Sequence, residues 1–440
     1  MDTAQKHASV IVDQEYLAKG SQMVMLLFLG GYLINYLFNI FLSQVLGPAQ
    51  YGNFKVAEAF YFLSCLITML GGATAAPQLL RNQLNTEDVP GTWEYLRFYG
   101  TAAILASIVV GALVMAGHWL HIMIFRGTGY HPLIVATLVV PLAAISNLMI
   151  AIFQVIRRLD IAYLPWNVGY PALGLVFCGS YYLITGSLDS FTAVLLICGV
   201  TTCMIIHSIF YLRRLKLMPF KRKQNFVGPN QWIYTSLPMM GIVSLQMLLR
   251  QVDIYMLELL GSETEVGFFA AAQTTAYAIT IVKLALTGLL APVVVLALEE
   301  GGDAIQELNY QGFRLTLMFT LPVVLCIIVL GHPILHLFGH NSHTAYFALV
   351  ILTVGLMFFA LTVVAALWLR YCGYSKMIVL ILGATVVMNI ALNVFLIPRY
   401  GIEGAATATT VSLLFSSGVF TVMLYRRFGF FPWSASPYRD

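Results

Sequence analysis

Charge is scarce in this sequence. Only 10% of its 440 residues are Asp, Glu, Lys or Arg, whereas soluble domains carry about 25%. With 60% apolar residues spread over the whole length and a mean hydropathy of +0.84, a soluble domain is excluded and an integral membrane protein is indicated. The net charge of +4 is too small and too scattered for a nucleic-acid surface. Cysteine is scarce too. Cys65, Cys178, Cys198, Cys203, Cys326 and Cys372 all lie in apolar stretches and form no Cys-x-x-Cys pair, which argues against a disulfide framework or a zinc site. The first 19 residues, MDTAQKHASVIVDQEYLAK, contain no apolar core ahead of a small-residue cleavage site. The expectation is therefore that no leader is removed and that the first hydrophobic segment is retained. The sequence also lacks a phosphate-binding glycine loop and a nucleophile triad. The longest loop expected outside, HWLHIMIFRGTGYH, has no acid at all. A membrane polysaccharide polymerase or ligase, which generally needs a substantial extracytoplasmic loop or a carboxylate-rich site, is the third of three functional readings.

Long apolar runs are abundant. A spanning helix needs about 20 mostly apolar residues, and the pattern predicts an all-α membrane protein with twelve spans. They cover roughly 20–46, 54–76, 95–116, 131–156, 162–184, 190–212, 232–260, 267–298, 312–338, 344–369, 375–397 and 403–425. With the N-terminus inside, eighteen of the 23 Lys and Arg residues fall on one side. Lys55, Arg126 and Arg399 fall on the other, and Arg250 and Lys283 lie within spans. Excess positive charge marks the cytoplasmic side, so both termini are expected in the cytoplasm, although the acidic stretch EEGGDAIQE at 299–307 lands there too. The expected organisation is a cytoplasmic segment 1–19, an N-lobe 20–212, a basic cytoplasmic linker 213–231, a C-lobe 232–425 and a cytoplasmic tail 426–440.

Two stretches half a chain apart resemble each other. VLGPAQYGNF follows span 1, and LLGSETEVGFF follows span 7. Aligning Gly47 with Gly261 sets Asn39 on Asp253 and Leu46 on Leu260. Each half has an even number of spans, so both enter the membrane from the same side. This predicts two six-helix lobes related by a pseudo-twofold axis along the membrane normal, with a central cavity between them.

Ionisable residues at membrane depth usually face such a cavity, because lipid exposure costs roughly 2.5–3.5 kcal/mol each by insertion scales. Four stand out: Glu58 in span 2, Arg250 and Asp253 in span 7, and Lys283 near the middle of span 8. Helical phase places Gln273, Thr280, Lys283 and Thr287 on one face of span 8. Tyr32, Asn35, Asn39 and Ser43 make a polar stripe on span 1. A cationic residue in an apolar shell suits an anionic, phosphate-bearing substrate. Lys283 and Arg250 are thus expected to bind it, with Asn35, Asn39, Gln273, Thr280 and Thr287 beside them. Asp253 and Glu58 are candidates for gating or ion coupling, although an Arg250–Asp253 ion pair one helical turn apart is an equally simple reading. No metal site or cofactor is expected. The cluster His332, His336, His340 and His343 has metal-like spacing, but Gly339 breaks the helix and no carboxylate is near. It reads as an interfacial group.

The second half carries further pieces: LFG at 337–339, GYSK at 373–376 and NVFLIPRYGIEGAA at 393–406. With LSQVLGPAQYGNF and MLGGATAAPQLLRNQ in the first half, the sequence resembles the polysaccharide-flippase branch of the multidrug/oligosaccharidyl-lipid/polysaccharide exporter superfamily. That resemblance implies a transporter and not an enzyme. It would move an undecaprenyl-pyrophosphate-linked oligosaccharide across the inner membrane by alternating access, for O-antigen (lipopolysaccharide) or exopolysaccharide synthesis. Coupling would be to a Na+ or H+ gradient. Partners would be the lipid-linked oligosaccharide, membrane lipids, a polymerase and a chain-length regulator. It further implies a cavity lined by spans 1, 2, 7 and 8, often with basic residues; Lys55 and Glu58 depart from the strongly basic span 2 expected there. A cation-coupled multidrug or metabolite antiporter of the same superfamily is the second reading.

Overall fold

The computed structural model describes residues 2–80, 89–125, 131–156, 158–215, 229–300, 302–339 and 341–434. These residues are almost entirely helical. The first half comprises α1 (Asp2–Thr68), α2 (Gly72–Leu79), α3 (Val89–Phe125), α4 (Leu133–Val155), α5 (Leu159–Leu164), a π-turn (Pro165–Gly169), α6 (Tyr170–Thr185) and α7 (Ser190–Arg214). The second half comprises α8 (Pro229–Leu260), α9 (Glu263–Ala276), α10 (Ala278–Glu300), α11 (Gly302–His336), a 3-10 turn (Ser342–Ala345), α12 (Tyr346–Leu361), α13 (Val363–Tyr371) and α14 (Ser375–Phe428).

Among the described residues, ten helical stretches are long and apolar enough to cross a membrane. Two of them, Leu26–Thr68 and Lys376–Phe428, are 43 and 53 residues long, about twice what one crossing needs. Each is broken by a glycine with positive φ: Gly47 at 74° and Gly401 at 53°. Ten stretches thus give twelve crossings. Helix α1 runs without interruption from Asp2 through residue 19 to the break at Gly47. Most of the expected linker (216–228) and the end of the tail (435–440) lie outside the described residues.

The cores divide with the halves. One gathers first-half side chains such as Phe38, Tyr61, Val139 and Val194, with Trp232 and Ala270 joining from the second half. Two others gather mainly second-half side chains, one around Phe269 and Leu352, which Val56 and Ala59 join from the first half, and one around Trp368 and Leu424. Leu105, Leu183 and Val329 stand on the outside, where a bilayer would cover them.

The halves are sewn together mainly by α1 and α9. The Tyr32 hydroxyl donates to the Thr274 carbonyl at 2.6 Å, and Tyr36 shares a 3.0 Å hydrogen bond with Thr275. Ser43 Oγ donates to the Phe338 carbonyl at 2.6 Å, and Gln44 Nε2 to the Leu337 carbonyl at 2.8 Å. Tyr32 and Ser43 of the polar stripe on span 1 therefore belong to a seam between the lobes. At this end the two repeated corners touch: Asn53 Nδ2 donates to Glu263 Oε2 at 3.0 Å. The opposite end is tied by Tyr99 donating to Ser236 Oγ at 2.9 Å, and by Ser236 donating to the Leu70 carbonyl at 2.7 Å.

Candidate functional site

Between the halves lies a cavity of about 470 Å³. First-half residues Asn35, Lys55, Glu58, Asn147, Trp166, Asn167 and Tyr170 line one wall, and Arg250, Gln251, Gln273, Tyr277 and Thr280 line the other. The volume lies within the range of small-molecule sites, roughly 300–1,000 Å³.

Among the described residues, three charged side chains reach this space, and their environments differ. Lys55 is ion-paired with Glu58 and also donates to Asn39 Oδ1 at 3.2 Å. Glu58 accepts a 2.8 Å hydrogen bond from the Tyr170 hydroxyl, which is itself bonded to Tyr61. Tyr51 donates to the same Asn39 oxygen at 2.9 Å. The lysine charge is thus met inside its own lobe. Arg250 is met by a ring: its guanidinium carbon lies 4.9 Å from the Tyr277 centroid. No carboxylate pairs with it among the described residues. A cation–π contact orients a guanidinium without neutralising it. Counting Lys55, Arg250 and Glu58, the cavity carries one net positive charge.

The first-half wall is built by an unusual backbone. Pro165 and Pro171 bracket the π-turn, in which the Tyr170 N–H reaches back to the Pro165 carbonyl. A proline has no N–H to continue the regular ladder, so the helix widens by one residue here. Such bulges are frequent at functional sites. Helix α1 crosses this turn closely, and a Cβ on Gly31 would lie 2.2 Å from the Asn167 carbonyl oxygen. Asn147 and Asn167 each spend their Nδ2 on a carbonyl of their own helix, at 2.9 Å. The Trp166 ring stacks on Tyr170, with centroids 5.6 Å apart and planes at 26°. Its Nε1 is buried with no hydrogen-bond partner among the described residues, a state that costs about 1–3 kcal/mol.

Of the residues singled out from sequence, Asn35, Glu58, Arg250, Gln273 and Thr280 line the cavity. Lys283, Thr287, Asn39 and Asp253 do not. The Lys283 Nζ sits 3.3 Å from the centroid of Phe359, inside the second half. Thr287 bonds back to the Lys283 carbonyl at 2.7 Å. Gln273, Tyr277, Thr280 and Leu284 line the cavity at helical spacing on both sides of the junction between α9 and α10. At 100° per residue Lys283 stands about 80° to one side of Gln273, off the centre of that face. Asn39 lies one layer behind the wall, holding Lys55.

Asp253 turns away from Arg250, and no ion pair forms between them. Three residues along a helix leave side chains about 60° apart, enough for one to face the cavity and the other its own lobe. Asp253 is 1% exposed. Its Oδ1 accepts from Asn393 Nδ2 at 2.9 Å and Asn389 Nδ2 at 3.3 Å, and its Oδ2 accepts from Thr409. The Asn393 Oδ1 beside it is buried with no partner among the described residues. All three donors are neutral, so the carboxylate charge is solvated but not balanced.

Sequence reasoning missed Trp166, Asn147, Asn167 and Tyr170 as site residues. A signal was there: PWNVGYP places two prolines six residues apart inside an apolar span. Among the histidines, His332 stacks on Tyr346 and His336 on His343; His340 lies outside the described residues.

Comparisons with known proteins agree with this architecture. A family model described as polysaccharide biosynthesis protein matches residues 17–295, and the MatE model matches 238–395. The uncharacterized membrane protein YabM of Bacillus subtilis (strain 168) is 39% identical over 72 residues. That match spans 16% of this chain and 14% of YabM. Among solved structures, an inward-facing multidrug resistance MATE family transporter of the MOP superfamily aligns with a TM-score of 0.72 at 15% identity, over 91% of this chain and 94% of that one. The lipid II flippase MurJ, in an inward closed conformation, aligns with a TM-score of 0.66 at 14% identity, over 93% and 88%. The MATE multidrug transporter DinF-BH aligns at 0.65 and 15%, over 94% and 95%.

Proposed function

We infer the function from one premise: this chain belongs to the polysaccharide biosynthesis protein family, within the multidrug/oligosaccharidyl-lipid/polysaccharide exporter superfamily, and is a multi-pass membrane transporter. We propose that it flips an undecaprenyl-pyrophosphate-linked oligosaccharide from the cytoplasmic to the outer leaflet. The observation that carries this reading is Arg250, a cation without a carboxylate partner among the described residues, on the wall of a cavity within the membrane. A guanidinium offers paired donors to phosphate oxygens and stays charged. The diphosphate sits at Arg250 and Gln273, the first sugars fill the cavity, and the lipid tail remains in the bilayer.

Movement follows from a difference in affinity between two arrangements of the lobes. Asp253 supplies the coupling site in this scheme. A buried carboxylate with the unpartnered Asn393 oxygen beside it suits a hard cation, which takes oxygen ligands, and a proton is the alternative occupant. The excess of Lys and Arg on one side supports placing both termini in the cytoplasm. In this setting a polymerase and a chain-length regulator take up the product.

The test is transport by purified protein in proteoliposomes, measured with an undecaprenyl-diphosphate oligosaccharide. Arg250→Ala is expected to cut flipping by at least about tenfold, the equivalent of one lost charged hydrogen bond, and Arg250→Lys to restore part of it. Flipping that is unchanged in both variants would sink the reading. The second reading, a drug antiporter, draws on the MatE match. Against it, the acid on the cavity wall, Glu58, is already spent on Lys55. Transport of a cationic dye without any flipping of the lipid-linked sugar would favour it instead.

A further inference from the structure

The two walls of the cavity differ in chemistry. The second-half wall carries the unpaired cation. The first-half wall carries a stacked Trp166–Tyr170 pair, two asparagines that each donate one amide N–H to a carbonyl of their own helix, and the buried, unpartnered Trp166 Nε1. All of this is mounted on or beside a π-turn that Gly31 allows α1 to press against. That arrangement carries no charge to hold a diphosphate: each asparagine keeps its oxygen and one N–H, a neutral donor and acceptor set.

It does match a sugar ring. The C–H face of a pyranose is apolar and packs on an aromatic ring, while its equatorial hydroxyls donate to amide oxygens and accept from an indole N–H. We propose that Trp166, Asn147 and Asn167 form a sugar-reading wall that binds the pyranose next to the diphosphate and sets which glycans are accepted. The proposal rests on the flippase reading, and it assigns specificity to the π-turn and anchoring to Arg250. On this division, the wall distinguishes one lipid-linked glycan from another, and Arg250 treats them alike. The cavity volume fits the assignment, because about 470 Å³ holds a diphosphate and the first sugars but not a long glycan. Only the units nearest the lipid are read.

Two probes separate the parts: farnesyl diphosphate, which has no sugar, and farnesyl-diphospho-N-acetylglucosamine, which has one. Binding of both is measured to the full-length protein in nanodiscs. Wild type is expected to prefer the glycosylated probe by about tenfold, the scale of one aromatic contact plus a hydrogen bond. Trp166→Leu and the double variant Asn147→Ala/Asn167→Ala are expected to erase most of that preference, with affinity for farnesyl diphosphate changed by less than about twofold. Trp166→Phe, which keeps a ring, is expected to retain part of it and guards against loss through misfolding. An unchanged preference in the Trp166→Leu and asparagine variants overturns the proposal, and so does an equal loss on both probes, which would make the wall structural. If Arg250→Ala leaves both affinities intact, the flippase reading fails, whatever the wall does.

Discussion

Gly52 and Gly267 face each other across the joint between the two halves, each pressed against the other's corner. A Cβ on Gly52 would lie 2.1 Å from the Glu263 carbonyl oxygen and 2.9 Å from the Gly267 nitrogen, and one on Gly267 would lie 2.0 Å from the Pro48 carbonyl oxygen. The repeated corner thus has a purpose. It is built twice because each copy is the socket for the other, and only a residue without a side chain lets two backbones approach so closely.

Adding one methyl at either position tests this. Overpacking a tight contact costs about 1–3 kcal/mol, and in a two-state lobe equilibrium that is about a 5- to 150-fold shift. Gly52→Ala and Gly267→Ala are each expected to open the corner end. The readout is labelling of a cysteine placed at Ser43, whose hydroxyl is part of the seam, by a membrane-impermeant thiol reagent. Labelling should rise in both variants, and no rise in either would mean that the corners do not hold that end closed.

Lys55 and Glu58 form a largely buried pair, and breaking a buried pair costs more than deleting it whole. Lys55→Met leaves the Glu58 charge without its cation, and Glu58→Gln leaves Lys55 with only Asn39. Each single variant is expected to lower the thermal midpoint in detergent more than the double variant does, with single-variant losses on the order of 3–5 kcal/mol. Additive losses in the double variant would show that the two charges do not depend on each other.

The helices were legible because apolar runs and their Gly–Pro punctuation dictate them, and the corners because their glycines recur at nearly the same spacing. Arg250, Glu58 and Gln273 were legible because burying a charge or an amide in a membrane demands a polar cavity. The rest depended on direction around a helix axis. Lys283 has the right depth but stands to one side of the face that lines the cavity, against Phe359. Asn39 has the right face but stands behind Lys55. The π-turn was hidden for a related reason: its extra residue shifts every later side chain, and a fixed period of 3.6 does not follow such a shift.

Lys283 supplies a contrast to Arg250. Its ammonium lies against an aromatic face within its own lobe, so substrate affinity should not depend on it. Lys283→Met keeps most of the side-chain length and is expected to leave farnesyl diphosphate binding within about twofold of wild type. A loss as large as that of Arg250→Ala would show that the lysine reaches the cavity in another arrangement of the lobes.

Asp253 decides whether transport is coupled to an ion. Its carboxylate receives three hydrogen bonds, all from neutral groups, and burial of an unbalanced charge is costly. Two occupants relieve that cost, a cation or a proton, and they leave different traces. If a cation binds, wild-type flipping should depend on Na+ at fixed pH. Asp253→Asn should then flip at a rate that no longer responds to Na+, because an amide keeps the hydrogen bonds but not the charge. Asn393→Ala, which removes the unpartnered oxygen together with a donor to Asp253, should weaken the Na+ response by about tenfold. If a proton binds, Na+ should have no effect on wild type, and flipping should respond to an imposed pH gradient instead. A wild-type rate indifferent to both gradients and unchanged in Asp253→Asn would leave Asp253 with no part in transport, as a polar link among α8 and α14 alone.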